Sequence, residues 1–562
     1  MLFVTTGAPV PTNNMLSPYF LDTAGNFMNY TADGFTNAAY THTSLTGVDS
    51  NSIVSLAGGG AVSGTTNVYA LRTAGALTGT ATDSLVIDSG GLILASASTH
   101  TAPIAFGSAE GVIFDTGVNN TLSGKLTGSG GLIKAGSGIT TLNASNSATL
   151  SGPVTINQGT LRVVSDVGAL ASGSVITLNG GALEVYNTLT SVTHIFTNAI
   201  VLGNLGGMLG ATTIKTGVFI GNITGGAGTG PLMLYATGNA YMEIAGTNSY
   251  TGGTVISLQT AARISVQPQS SLGTGDVTVD GGGSASTFST IMLQGDTNIS
   301  SVARVFLVNS GSRIYFNSAN PSIGSLEGNG FVLLGVTSLG GPGQTANTRL
   351  TVGGNNLSTE FFGRISDMSS CFIAGGQAYN QLAKVGTGTL TLWGENAYMG
   401  GTVISNGTLT VNNYINTNGW VAVYPQGTLD GIGTVGPVTN LGGTVKGKLF
   451  TSGLTQGAGA VLQVAMNGAG AGQYDVLTVT GPVNLAGSTL TLTLNFAPTP
   501  GQTFTILNNT SANPIVGEFT CGRKVSGIYN GKTYWFSVNY QGGDGNDIVL
   551  ACIPSGSVFT FH

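Results

Sequence analysis

The chain has 562 residues and a formal net charge of −6, with hydrophobic residues at 41% and charged residues at only 7%, where typical proteins carry roughly 25% charge. With no cluster of Lys or Arg there is no basic face for nucleic acid, and with no run of about 18 apolar residues there is no transmembrane helix. Glycine accounts for 91 residues, about twice the usual share, and the regular alternation of apolar and polar residues excludes a disordered chain.

The N-terminus, Met1-Leu2-Phe3-Val4-Thr5, is too short and too polar for a signal peptide, so the expectation is that a signal was removed or that the numbering starts inside a precursor. Residues 1–50 carry Tyr19, Phe20, Phe27, Tyr30, Phe35 and Tyr40 among polar residues and lack the pattern that follows. They are expected to cap the first strands; the alternative is a segment that docks on another subunit. From 51 to 465 glycines recur before short apolar runs, as in Gly90-Gly91-Leu92-Ile93-Leu94 and Gly330-Phe331-Val332-Leu333-Leu334. Glycine suits such corners because they need positive φ. No convincing amphipathic helix longer than two turns interrupts them.

The clearest unit is Lys384 to Asn412. Its runs Gly388-Thr389-Leu390-Thr391-Leu392 and Gly407-Thr408-Leu409-Thr410-Val411 put Leu390, Leu392, Leu409 and Val411 on one strand face and the threonines on the other. Asn396, Tyr398 and Gly400-Gly401 read as a turn between them, followed by a run Thr402-Val403-Ile404-Ser405. One winding of this kind cannot bury its own apolar face, so it needs copies above and below. Lys134–Val163 and Thr247–Ile256 supply degenerate copies. The expected fold is all-β: a parallel β-helix (β-solenoid) over 51–465, with an N-terminal cap over 1–50 and an antiparallel β module over 466–562.

The phrases K-x-G-x-G-T-L-T-L, N-x-Y-x-G-G-T and G-T-L-x-V resemble the autotransporter-associated β-strand repeat, also called the passenger-associated transport repeat. Val352-Gly353-Gly354-Asn355-Asn356, Gln473 to Val479 and Tyr540 to Leu550 are similar to other parts of such proteins. The resemblance implies a right-handed parallel β-helix, export to the bacterial cell surface or medium, and no catalytic residues or cofactor. Autotransporters end in a membrane β-barrel; the chain as given stops at His562, so self-secretion through its own barrel is not expected.

Parallel β-helices include polysaccharide lyases and hydrolases, whose chemistry needs grouped carboxylates, usually with a basic residue. The closest acidic pairs are Asp83 with Asp88, Glu110 with Asp115, and Asp276 with Asp280. They read as turn or surface residues with no His, Lys or Arg clustered beside them. His42, His100, His194 and His562 match no metal spacing. Gly542 to Leu550 fits one copy of the calcium nonapeptide, with Asp544 and Asp547 as the ligands if it binds. Consecutive copies are needed to hold an ion, and a turn into a final strand is the competing reading. Of the three cysteines, Cys521 and Cys552 flank a C-terminal hairpin and could bridge; Cys371 reads as a buried or lone thiol.

That hairpin is signalled by Asn530-Gly531 between Ser526-Gly527-Ile528-Tyr529 and Thr533-Tyr534-Trp535-Phe536. Tyr534, Trp535 and Phe536, with Val558, Phe559 and Phe561 of the uncharged tail, are candidate assembly residues. The functional expectation is an extracellular structural β-solenoid that self-assembles head to tail into a fibre. The alternatives are an adhesin-like passenger that contacts a host surface or glycan and shows exposed aromatic stripes, and, third, a carbohydrate-active enzyme.

Overall fold

The computed structural model describes residues 9–164, 168–186, 193–212, 216–238, 240–258, 262–282, 290–335, 347–367 and 379–554. The chain divides into two units, one up to Gly275 and one from Asp276 onward. Among the described residues there are strands and turns but no helix. Each unit is a parallel β-helix, as the alternating runs require.

In the first unit, Ile53–Leu56, Ala70–Thr73, Gly91–Leu94, Gly111–Asp115 and Leu132–Ala135 lie side by side, all parallel. A second wall runs from Asn119–Leu122 through Ile139–Leu142, Thr160–Val164, Ala182–Tyr186, Gly207–Thr212 and Leu232–Thr237 to Thr254–Leu258. Ile139 sits beside Thr160 and Ala182 beside Met208, so a winding takes about 20–30 residues, the length of one repeat. Register is set by the apolar face. Leu142, Val163, Val185, Ala211, Ala236 and Leu258 occupy one inward column and are all buried. A one-residue slip would turn each of them outward, forfeiting about 1.5–3 kcal/mol for each Leu or Val so exposed.

The N-terminal segment packs on its own chain. Met15, Phe27 and Ala38 are buried against Ile53, Ala70 and Ile93, with Tyr40, Tyr69 and Phe114 around them. Phe27 and Pro18 lie over Gly91, where a β-carbon would meet them. The Ser55 N–H bonds to the His42 carbonyl at 2.9 Å, so the segment also pairs with an edge of the first strand.

In the second unit, Val277–Asp280, Arg304–Leu307 and Ser325–Gly328 stack in parallel. Leu390, Leu409 and Leu429 form one inward column, and Leu392 stacks on Val411; all five are buried. The two runs after Gly401 are one ten-residue strand, Thr402–Val411, rather than two. Its first half pairs with Gln381–Lys384 and its second with Thr389–Leu392. The corner expected at Gly407 (φ 66°) bends the strand, and a register shift at Ile404/Asn406 absorbs the turn.

Parallel pairing also runs beyond the expected boundary at 466: Val461–Met466 pairs with Thr489–Leu494, and Leu477–Val479 with Thr503–Asn509. Alternation at Leu490, Leu492 and Leu494 reads the same for a parallel or an antiparallel strand, which is why the sequence misplaces the change. Antiparallel pairing begins where Thr503–Asn509 meets Asp547–Ile553. Asp547–Ile553 pairs with Lys532–Gly542, and that strand with Lys524–Tyr529. Val525 is buried, and Gly527 lies against Leu492 and Leu494 of the last parallel strand. The hairpin thus closes the apolar column at this end, and positive φ at Asn530 and Gly531 makes its turn.

Candidate functional site

Buried polar groups are the natural place to look for chemistry, and the repeats contain three. Lys134 and Lys384 begin strand-to-corner transitions in two copies. The Lys134 ammonium donates to the carbonyls of Ala135 (2.8 Å), Gly136 (2.8 Å) and Gln158 (3.3 Å). Lys384 repeats this with Val385 (2.7 Å), Gly386 (2.9 Å) and Asn406 (3.2 Å). Two acceptors belong to the lysine's own corner and the third to the following winding, so the ammonium clamps neighbouring corners together. Burial pulls both amines down to about 8, and Asp115 acts in the opposite direction on Lys134. All three protons are donated inside the protein, and both side chains are buried.

The repeat asparagines act similarly. Asn146, Asn248 and Asn396 are buried, and their side-chain oxygens accept from the backbone N–H of Leu126 (2.8 Å), Ile223 (2.9 Å) and Ile365 (3.0 Å). The tyrosines are core residues rather than turn residues. Tyr250 bonds Thr254 at 2.7 Å and Tyr398 bonds Thr402 at 2.6 Å, both fully buried. In the copy over 132–163 the corresponding pair is Leu150 and Val154, so phenol and hydroxyl are present or absent together.

Asp115 departs from expectation. It is not at the surface but fully buried, at the inward end of Gly111–Asp115 beside Leu94. It accepts from Asn120 Nδ2 (3.1 Å) and Thr140 Oγ1 (3.2 Å). Asn120 Oδ1 lies 3.1 Å from His100 Nε2, and His100 Nδ1 accepts from the Leu77 N–H at 3.2 Å. Nδ1 is therefore the acceptor and Nε2 carries the proton. Burial lowers the His100 pKa and raises that of Asp115. A histidine, a carboxylate and a lysine do come together here, through inward columns that sequence distance conceals. The cluster is sealed in the core, so it serves the fold. Asp83 and Asp280 do sit at turns: Asp83 caps Gly64 and Thr80 (2.7 Å each), and Asp280 accepts from Gly282 (3.0 Å) and Asn309 (2.8 Å).

On the outer face of the first unit, Arg162, Glu184, Gly210 and Tyr235 share one register position in successive windings. Glu184 is held by Arg162 Nε (2.5 Å), Thr212 Oγ1 (3.1 Å) and Tyr235 Oη (2.9 Å). The Tyr235 ring lies over Gly210, where any β-carbon would strike it. The adjoining cavity, about 260 Å³, is lined by Thr160, Ala182, Met208, Met233 and Tyr235 among others. Burial and the Glu184 carboxylate push the Tyr235 phenol above its ordinary range. It stays a donor, and both carboxylate oxygens of Glu184 accept bonds from the protein.

The second unit carries an exposed, stacked aromatic pair. Phe362 and Trp393 follow the paired residues Phe361 and Leu392, and the Trp393 N–H donates to the Phe361 carbonyl at 2.9 Å. They therefore hold the same corner of successive windings. Their rings are parallel within 5° with centroids 6.0 Å apart, and they are 51% and 41% exposed. Arg364 and Glu395 are exposed beside them. Ile432, whose N–H donates to the Val411 carbonyl, continues the corner at 58% exposure. No local motif announces this pair; it emerges only once Phe361 is placed beside Leu392.

The C-terminal candidates separate. Phe536 is buried with Phe504 (centroids 6.1 Å), Trp535 lies under the Lys524 ammonium at 4.3 Å, and Tyr534 under Lys532 at 5.0 Å. Val558, Phe559 and Phe561 lie outside the described residues, as do Cys371 and His562. The expected bridge is not formed: Cys521 and Cys552 are free thiols. Cys552 is buried opposite Phe536 in the sheet, whereas Cys521 precedes the hairpin in the Phe519–Gly522 turn. Asp547 accepts from the Asn509 N–H at 2.9 Å and ends the Gly542–Asp547 turn. Among the described residues no group of His, Cys, Asp or Glu is arranged to hold a metal, and no helix is long and apolar enough to cross a membrane.

Comparison with known proteins finds the passenger-associated transport repeat at three places, residues 132–163, 227–257 and 382–411. These contain the clamp lysines, the asparagines and the tyrosines. The chain therefore carries a repeat typical of passenger domains, which are secreted, surface-exposed β-helices. Comparison with curated proteins gives no match.

Proposed function

We infer that the protein is a surface-displayed, adhesin-like β-solenoid that binds through a flank, without catalysis. The carrying observation is the parallel, exposed pair Phe362 and Trp393 on a flank of the second unit. Two further features support it. The N-terminal segment pairs with its own first strand, and the Lys524–Tyr529 hairpin covers the last parallel strand. Ends that already carry packed segments of their own chain offer less to a head-to-tail fibre. The clamp lysines and the Asp115–Asn120–His100 chain spend their hydrogen bonds internally, which favours a structural role for them over an active site. Extracellular or cell-surface display follows from the passenger repeat.

The test is adhesion against polymerisation. Purified chain is examined by light scattering and negative-stain microscopy, and beads coated with it are scored for attachment to cells. Single particles with attachment that falls on Trp393→Ala support the reading. Filaments, with attachment indifferent to that change, would replace it by the fibre.

A further inference from the structure

We propose that the Phe362–Trp393 corner is a binding site for an uncharged polysaccharide lying along the winding-to-winding direction. The proposal rests on the flank-binding reading above and names its ligand class.

At 51% and 41% exposure, rings that offer about 150–250 Å² each leave on the order of 200 Å² of apolar surface open. A stable protein partner, or a second copy of this chain, buries about 800 Å² per side. The two rings supply about a quarter of that area, and by themselves they match one or two sugar rings, whose C–H faces pack on aromatic rings. Charge points the same way. Arg364 and Glu395 stand in neighbouring windings, since the Ile365 N–H bonds Asn396 Oδ1. With the exposed Glu360, two residues before Phe362, they flank the strip with one positive and two negative charges, so no positive field draws a polyanion. All three side chains hydrogen-bond hydroxyls. Asn413, whose Nδ2 donates to the Trp393 carbonyl at 3.3 Å, adds an amide at the same corner. Repetition is the third point. The two rings sit 6.0 Å apart because one corner recurs in each winding, and a polymer of sugar residues offers a matching repeat.

The test is native affinity electrophoresis of the full chain in gels containing hydroxyethylcellulose, mixed-linkage β-glucan or galactomannan, with polygalacturonate as the charged probe. The parent should be retarded by at least one neutral polymer and not by polygalacturonate. Trp393→Ala and Phe362→Ala should each weaken binding at least tenfold, and Trp393→Gln serves if the alanine variant fails to fold. Trp420→Ala, at another exposed corner, should bind like the parent. The proposal is overturned if no neutral polymer retards the chain, if the ring variants bind as the parent does, or if polygalacturonate retards it equally. If bead attachment to cells still depends on Trp393 while no polysaccharide binds, the flank reading survives and the ligand is a protein. If attachment itself is absent, both readings fall.

Discussion

Tyr398 and Thr402 allow the buried-corner argument to be tested energetically. The phenol is completely buried and its hydroxyl meets Thr402 Oγ1 at 2.6 Å, while burial holds its pKa above the ordinary range, so it stays protonated. Thr402→Val preserves shape but strands a polar O–H in the core, at a cost of about 1–3 kcal/mol. Tyr398→Phe leaves only a hydroxyl that can turn toward the backbone, at about 0.5–1.5 kcal/mol. Removing both leaves nothing unpaired, so the double variant should be less destabilised than the sum of the singles by about 1–2 kcal/mol. Leu150 and Val154 already form such an apolar pair in another copy of the repeat, and both are buried. Urea titration followed by tryptophan fluorescence is the assay, because Trp393 and Trp420 lie in the neighbouring windings and report local unfolding of a solenoid that need not melt as one. Strictly additive singles, or a Thr402→Val variant as stable as the parent, would refute the pairing argument.

Three further outcomes are expected. Leu409→Asp should lose several kcal/mol, because it puts a carboxylate into a sealed apolar column; limited proteolysis should then cut within Thr402–Val411, and a resistant variant would mean the register is wrong. Thermal stability should fall as pH drops from 7.5 toward 5.5. The His100 pKa is depressed by burial, so the unfolded chain takes up a proton below about 6.5 that the folded chain resists, and His100→Gln should flatten this dependence relative to the parent. Reducing agent should leave the melting temperature unchanged, since Cys521 and Cys552 are free; a clear drop would reveal a bridge.

Much of the fold was legible because period-two alternation fixes both strand and face. Leu390, Leu392, Leu409 and Val411 point inward for that reason. The hairpin was legible because Asn530-Gly531 supplies the φ values a tight turn needs. What alternation cannot give is which strands become neighbours. Asp115 read as a surface turn residue because its partners Asn120 and Thr140, and His100 beyond Asn120, reach it only through inward columns. Nothing in the sequence links Phe362 to Trp393 for the same reason: they are 31 positions apart yet hold one corner of successive windings. The repeat lysine was visible as a recurring letter, but its role depends on carbonyls at Gln158 and Asn406, which the linear phrase does not place within reach.

The three corner devices share one logic. A parallel β-helix gains its stability from inward columns, yet those columns tolerate axial mispairing, since Leu stacks on Val or Ile nearly as well as on Leu. Specificity must come from groups that lose heavily when displaced. A buried ammonium with three carbonyls, an amide oxygen on one backbone N–H and a phenol on one threonine each meet that condition. They lie inside the corners, where the chain turns and backbone groups would otherwise go unpaired. The outer face is then free of the task of holding register, and it can vary. The third copy shows the exchange at work: Leu234 stands where Lys134 and Lys384 stand in the others, while Asn248 and Tyr250 retain their bonds. A winding that drops one device keeps the other two, and exposed corners such as Phe362–Trp393 are left without a part in holding register.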